Sequence, residues 1–119
     1  LTTDAFEFDD ARTASQVEPL EQVIDILVER LRAQHIKRLK DGACSIDTGV
    51  VYLDVLNNVE RISDHCSNIA ARLVGMEAGE DYDSHTLKNM MHHNPTKEYM
   101  LNYEQCRKDY LIPLEQLEA

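Results

Sequence analysis

The chain has 119 residues, and 12 Lys and Arg against 22 Asp and Glu give it a formal charge of −10. At that length one core can bury roughly two-thirds of the unfolded surface without disulfide or metal staples, and the acidic balance excludes nucleic acid or an anionic lipid surface as partner while favouring cations. Four Gly, three Pro, no Trp and 6% aromatics leave few turn signals, so the composition favours helices and excludes sheet architectures.

Residues 1–14 are acidic, with Phe6, Phe8, Ala11 and Ala14 scattered among them, and read as either a helical lead-in or a loosely held arm. From Val17, the residues Leu20, Ile24, Leu27 and Leu31 fall on one helical face that runs to about Leu39. Ser15 with Glu18 resembles a capping box, Glu18-Pro19 is an alternative start, and Gly42 is a stop. Ser45 is placed to cap a second, longer helix. Leu53, Leu56, Val59, Ile62, Cys66, Ile69, Ala70 and Leu73 keep its period to about Val74, and Gly75 and Gly79 end it. Glu77 to Asp83 reads as an acidic surface loop, after which Asp83 or Ser84 caps a short helix carrying Leu87, Met90 and Met91. His92-His93-Asn94-Pro95 breaks that pattern. Tyr99, Tyr103, Cys106, Tyr110, Leu114 and Leu117 then share a stripe on a third long helix, kinked or interrupted at Pro113. The expected fold is all-α, an antiparallel bundle of three long helices plus short ones, with residues 15–119 as the bundle domain and 1–14 as its lead-in.

Cys44, Cys66 and Cys106 are odd in number and widely spaced, so they define neither a disulfide framework nor a zinc ribbon, and a reducing compartment is expected. No apolar run approaches the ~18 residues of a membrane helix, and no secretory segment opens the chain. A soluble piece with no direct membrane insertion follows. Because it begins at Leu1 rather than Met, it is expected to be part of a longer protein.

The informative stretch is Asn57 to Ala70. With the apolar stripe centred near Val59, Ile62 and Cys66, Glu60 lies roughly 120° and Asp64 roughly 160° away, so both acids are expected to point away from the core. Four residues apart, they stack on one face, and like charges at that spacing repel by a few tenths of a kcal/mol unless something positive sits nearby. Glu21 and Asp25 repeat the spacing on the first long helix. Four carboxylates from two neighbouring helices suit a hard or borderline cation if they converge. The alternative is that Glu18 and Glu21 favour a helix N-terminus, Asp25 is solvated, and Glu60 pairs with an Arg or Lys.

Val59-Glu60-Arg61-Ile62-Ser63-Asp64-His65-Cys66, followed by Asn68-Ile69-Ala70, resembles the signature helix of the PhoU family, where a Leu-Glu-Arg-Ile-Gly-Asp-His run precedes Asn-Ile-Ala. Glu21-Gln22-Val23-Ile24-Asp25 is similar to that family's other acidic motif. The order His35-Ile36-Lys37-Arg38-Leu39, Gly42-Ala43-Cys44 and Tyr52-Leu53-Asp54 further resembles the PhoU-like tails of bacterial sodium/phosphate cotransporter-family proteins. The similarity covers about residues 15–75. It implies a non-enzymatic regulatory bundle on the cytoplasmic side of a phosphate transporter, partnered by the transmembrane part of the parent or by a phosphate-transport complex. It also implies Glu21, Asp25, Glu60 and Asp64 as candidate ligands for iron, zinc or nickel. Only one of the family's two tandem three-helix repeats is visible, and Ser63 stands where Gly is common.

Other residues read more simply. His35 shares a stripe with Leu31 and is expected to be packed and hydrogen-bonded; Cys66 is a core thiol with His65 outside the core; His92 and His93 suit a helix C-terminus; the tyrosines are core with phenols at its margin. No Glu-x-x-His pair, His-Glu-x-x-His, P-loop or Gly-x-Ser-x-Gly occurs, so an enzyme is not expected. A second expectation is a metal-free interaction bundle that forms a homodimer through an exposed apolar face.

Overall fold

The computed structural model describes residues 1–79 and 82–118, the side chains of residues 115, 117 and 118 excepted. Glu80 and Asp81 of the expected acidic loop, and the Leu117 side chain, therefore lie outside the described residues. Among the described residues seven α-helices follow in order: α1 (Thr2–Phe8), α2 (Ala11–Ala14), α3 (Val17–Lys40), α4 (Ile46–Glu77), α5 (Ser84–His93), α6 (Lys97–Cys106) and α7 (Ile112–Glu118), with a π-helical turn at Arg107–Leu111 between the last two. The all-α bundle is as expected.

Local chemistry sets the boundaries. Gly42 takes φ 71° after α3, a left-handed conformation that costs glycine nothing, and Ser45 Oγ then accepts from the Thr48 N–H at 3.2 Å to start α4. Asp83 does the same for α5, accepting from the Thr86 N–H at 2.8 Å, and Thr96 for α6, accepting from the Tyr99 N–H at 3.0 Å. The capping box at Ser15 does not form: Ser15 Oγ donates to the Arg12 carbonyl at 2.6 Å, and α3 begins at Val17 with Pro19 in its first turn. Pro113 lacks an N–H, so the carbonyl one turn earlier loses its α-helical partner, and the widened turn at Arg107–Leu111 absorbs the mismatch.

At about 1.5 Å per residue the 32 residues of α4 span ~48 Å, close to the 54 Å long axis of the molecule. α3 lies antiparallel against it and also packs on α6, α5 crosses the C-terminal half of α4, and α1 and α2 lie along its other side. There Ala5, Ala14, Val17 and Ala70 form a small core, with Cys66, Leu73 and Val74 against it. The lead-in thus forms two short helices, broken at Asp9–Asp10 and packed through Ala5 and Ala14, while Phe6 and Phe8 stay exposed.

The inner faces of the two long helices differ from the expected ones. α4 turns Gly49, Leu56, Ser63, Ser67, Ala70, Ala71 and Gly75 inward, whereas Val59 is 43% and Ile62 63% exposed. α3 buries Glu18, Glu21, Val28 and His35 and leaves Leu20, Ile24, Leu27 and Leu31 half-buried. The reason is steric and polar together. Small residues on α4 let its neighbours approach closely, and Ser67 supplies the hydrogen bond that the buried Glu18 requires. Glu60 and Asp64 consequently border the seam with α3 instead of pointing away from the core.

Two glycines in α4 mark the closest approaches. A Cβ on Gly49 would stand 2.8 Å from His35 Nε2, and one on Gly75 2.7 Å from Leu87 Cδ1. The buried His35 ring lies against Tyr52, with ring centroids 4.9 Å apart and the planes tilted by 45°. Gly49→Ala is therefore expected to destabilise the fold by about 1–2 kcal/mol, overpacking outweighing the helix-propensity gain. Urea titration followed by circular dichroism would show it; a stabilised variant would mean that the His35 pocket yields.

Candidate functional site

The acidic residues collect along the α3–α4 seam near the start of α3. Glu18 is almost fully buried there, and its carboxylate serves three groups from two other helices. Ser67 Oγ of α4 donates to one oxygen, His92 Nε2 of α5 lies 2.7 Å from the other, and Lys88 Nζ of α5 is 3.9 Å away. A carboxylate removed from water is stable only with such partners. One turn on, Glu21 is also buried and is hydrogen-bonded to Asp25. Burial, then that bond, then the charges of Glu18 and Asp25 push the Glu21 carboxyl up to about 8. Glu21 therefore holds its proton to well above the usual carboxylate range.

The acids of α4 meet cations. Asp64 Oδ1 is 3.1 Å from Lys88 Nζ, with Asn68 Oδ1 at 3.5 Å from the same nitrogen. Burial disfavours the Lys88 ammonium, but Glu18, Glu21 and Asp64 outweigh it and hold its pKa above the usual lysine range. Glu60 Oε2 lies 3.1 Å from Arg32 Nη2 of α3, and Arg32 also reaches Glu29 at 2.7 Å. That pair is half open to solvent and contributes about 0–1 kcal/mol.

The structure thus brings Glu21 and Asp25 to the same seam as Glu60 and Asp64, but not as four ligands on one point. Glu21 and Asp25 hold each other, Glu60 holds Arg32 and Asp64 holds Lys88. Among the described residues no three Asp, Glu, His or Cys side chains gather at a spacing that would hold a metal ion. The donor set, with every candidate carboxylate already committed, does not fit a transition-metal centre.

Five participants have no such role in the sequence reading: Glu18, Arg32, Ser67, Lys88 and His92. Glu18 precedes Glu21 and Asp25 by three and seven residues, the spacing of one helical face, and that signal was available. The two α5 groups reach the seam only through tertiary packing. His92 does close its helix as expected, yet its ring nitrogen serves Glu18. His35 is buried as expected, with Cys44 Sγ 3.9 Å from Nδ1; its Nε2 finds no partner among the described residues. Cys66 is half-buried and His65 exposed, while of the tyrosines Tyr99 is buried and Tyr110 is 52% exposed.

A second feature lies at the edge of the same seam. Leu20 and Ile24 of α3, Val59, Ile62 and Cys66 of α4, and the N-terminal residues line an open apolar groove of about 390 Å³. Val51, Val55, Ile69 and Met76 extend the exposed apolar face along α4.

Two measurements follow. Glu18→Ala strands the buried Ser67 hydroxyl and removes one partner of the partly covered Lys88, and is expected to cost about 2 kcal/mol in urea unfolding. An effect below ~1 kcal/mol would reduce the network to surface pairing. For Glu21, the folded pKa lies above the unfolded one, so between about pH 4.5 and 8 the folded state holds a proton that the unfolded state releases, and stability falls as pH rises through that window. Glu21→Gln is expected to flatten this slope, gaining more stability at pH 8 than at pH 5; parallel profiles for the two proteins would refute the assignment.

With the geometry in place, the comparisons with known proteins are direct. The PhoU domain family matches residues 1–73. The phosphate-specific transport system accessory protein PhoU homolog 1 of Thermotoga maritima is 26% identical over 77 residues, which is 65% of this chain and 33% of that protein. The phosphate-specific transport system accessory protein PhoU homolog of Streptococcus pneumoniae is 34% identical over 79 residues, 66% of this chain and 37% of that protein. The match therefore spans about a third of the length of either relative. No solved structure matches the chain significantly. A family match over more than half of the sequence, carried by the helices that build the acidic seam, places this chain in the PhoU family.

Proposed function

We propose that the chain is a non-enzymatic regulatory domain of phosphate transport that acts at the cytoplasmic face of the membrane by docking on the transport machinery. The names of its relatives support the phosphate link, since both are accessory proteins of phosphate-specific transport systems. Among the described residues no helix is long and apolar enough to cross a membrane, which suits an accessory role. The finer reading, a tail of a sodium/phosphate cotransporter-family protein, rests on the residue order from His35 to Asp54 and takes the parent's transmembrane part as the partner.

The observation that carries the docking is the outer face of α4. Val55, Val59, Ile62, Cys66, Ile69, Leu73 and Met76 alternate steps of four and three, the 3.5-residue period of a helix seam built for another helix. Cys66 and Leu73 are partly covered by the N-terminal helices, while Val55, Ile62 and Met76 are each more than half exposed. A continuous apolar face of this kind marks an interaction site. Docking of this face would report the state of the domain to the transporter without chemistry of its own.

The exposure of the same stripe favours a second reading, a homodimer in which a second copy covers Val55, Ile62 and Met76. One experiment separates the two. Cells carrying Ile62→Glu/Ile69→Glu are compared with wild type for phosphate uptake, and both purified proteins are examined by light scattering. Altered uptake with a monomeric wild-type domain supports docking on the transporter, and a wild-type dimer lost in the variant supports the second copy. Unchanged uptake together with a monomer in both forms would end the proposal.

A further inference from the structure

The α3–α4 seam contains a cation already, and it is covalently attached. Lys88 Nζ is seated among Asp64 Oδ1 at 3.1 Å, Asn68 Oδ1 at 3.5 Å and Glu18 Oε2 at 3.9 Å. These oxygens come from two helices, the ammonium from a third, and the Lys88 side chain is only 14% exposed. The Asp83 cap fixes the start of α5, and His92, one turn beyond Lys88 on the same face, anchors its end on Glu18. The ammonium is thereby positioned from both sides.

A divalent ion draws oxygen ligands to about 2.0–2.6 Å, whereas an ammonium leaves them near 3 Å. Both neutralise the same negative field, and they cannot share the position. We propose that Lys88 is the resident counter-ion of this acidic seam, standing where a metal would stand, so that the native domain takes no divalent cation at Glu18, Asp64 and Asn68. The corollary is that removing the ammonium while leaving the oxygens opens a site for a hard divalent cation. Neither statement depends on docking or on phosphate transport.

The test uses the full 119-residue chain, purified without chelator or nickel resin, as wild type, Lys88→Ser, Lys88→Arg and Lys88→Ser/Asp64→Asn. The probe is Mn²⁺, with free ion read by electron paramagnetic resonance and thermal unfolding by circular dichroism. Lys88→Ser is expected to bind Mn²⁺ at least about tenfold tighter than wild type and to melt higher in its presence, because the oxygen set gains an ion it previously excluded. Lys88→Arg keeps a cation in place and is expected to behave as wild type, while Asp64→Asn cancels the gain. If Lys88→Ser does not fold alone, recovery by Mn²⁺ but not by sodium chloride of equal ionic strength supports the proposal, and no recovery overturns it. Wild type binding Mn²⁺ as tightly as Lys88→Ser, or a folded Lys88→Ser with no gain, overturns it as well.

Discussion

The structure turns on one buried carboxylate. Glu18 sits where α3, α4 and α5 meet and accepts from Ser67 while facing His92 and Lys88. A charge in that position is tolerable only when all three helices are in place, so it specifies their relative arrangement more sharply than apolar contact could. Around it the seam is polar along much of its length: Glu21, Asp25, Glu60 and Asp64 follow on the two long helices, answered by Arg32 and Lys88. The domain is held at its centre by hydrogen bonds and charge, and at its N-terminal side by a small alanine-rich core.

This inverts the usual amphipathic logic. α3 and α4 each carry a clear apolar stripe, and in an isolated bundle those stripes would face each other. Here they border an open groove instead, and small residues on α4 make the contact with the neighbouring helices. On α3, Val17, Val23 and Val28 remain inside, so the exposed apolar surface is concentrated on α4, where the N-terminal helices cover Cys66 and Leu73 in part.

Much of this organisation is legible in the sequence, and the failures have two causes. Helix positions followed from period, caps and breakers: Ser45, Asp83 and Gly42 act as their residue types require, and α5 appears where Leu87, Met90 and Met91 predict it. The facing of α4 was misread because hydrophobicity alone assigned Val59 and Ile62 to the interior. Gly49, Ser63, Ser67, Ala71 and Gly75 recur on the other face at helical spacing, and close packing favours small residues as strongly as water disfavours large ones. Of the four acids, Glu60 and Asp64 meet positive charge, in Arg32 and Lys88, whereas Glu21 and Asp25 hold each other. A pairing of Glu60 with an Arg or Lys is one of the sequence readings, and Arg32 of the neighbouring helix supplies it; Lys88 leaves no such signal, since nothing local ties a lysine near residue 90 to an acid near residue 20.

That separation bears on how the chain matures. The contact between Glu18 and His92 spans 74 positions, so during synthesis the first long rod is finished well before the group that answers its interior charge has been made. Until α5 emerges from the ribosome, the nascent hairpin of α3 and α4 must leave that end ajar and hydrated. Closure of that end then waits on the delivery of α5, the ten residues Ser84–His93.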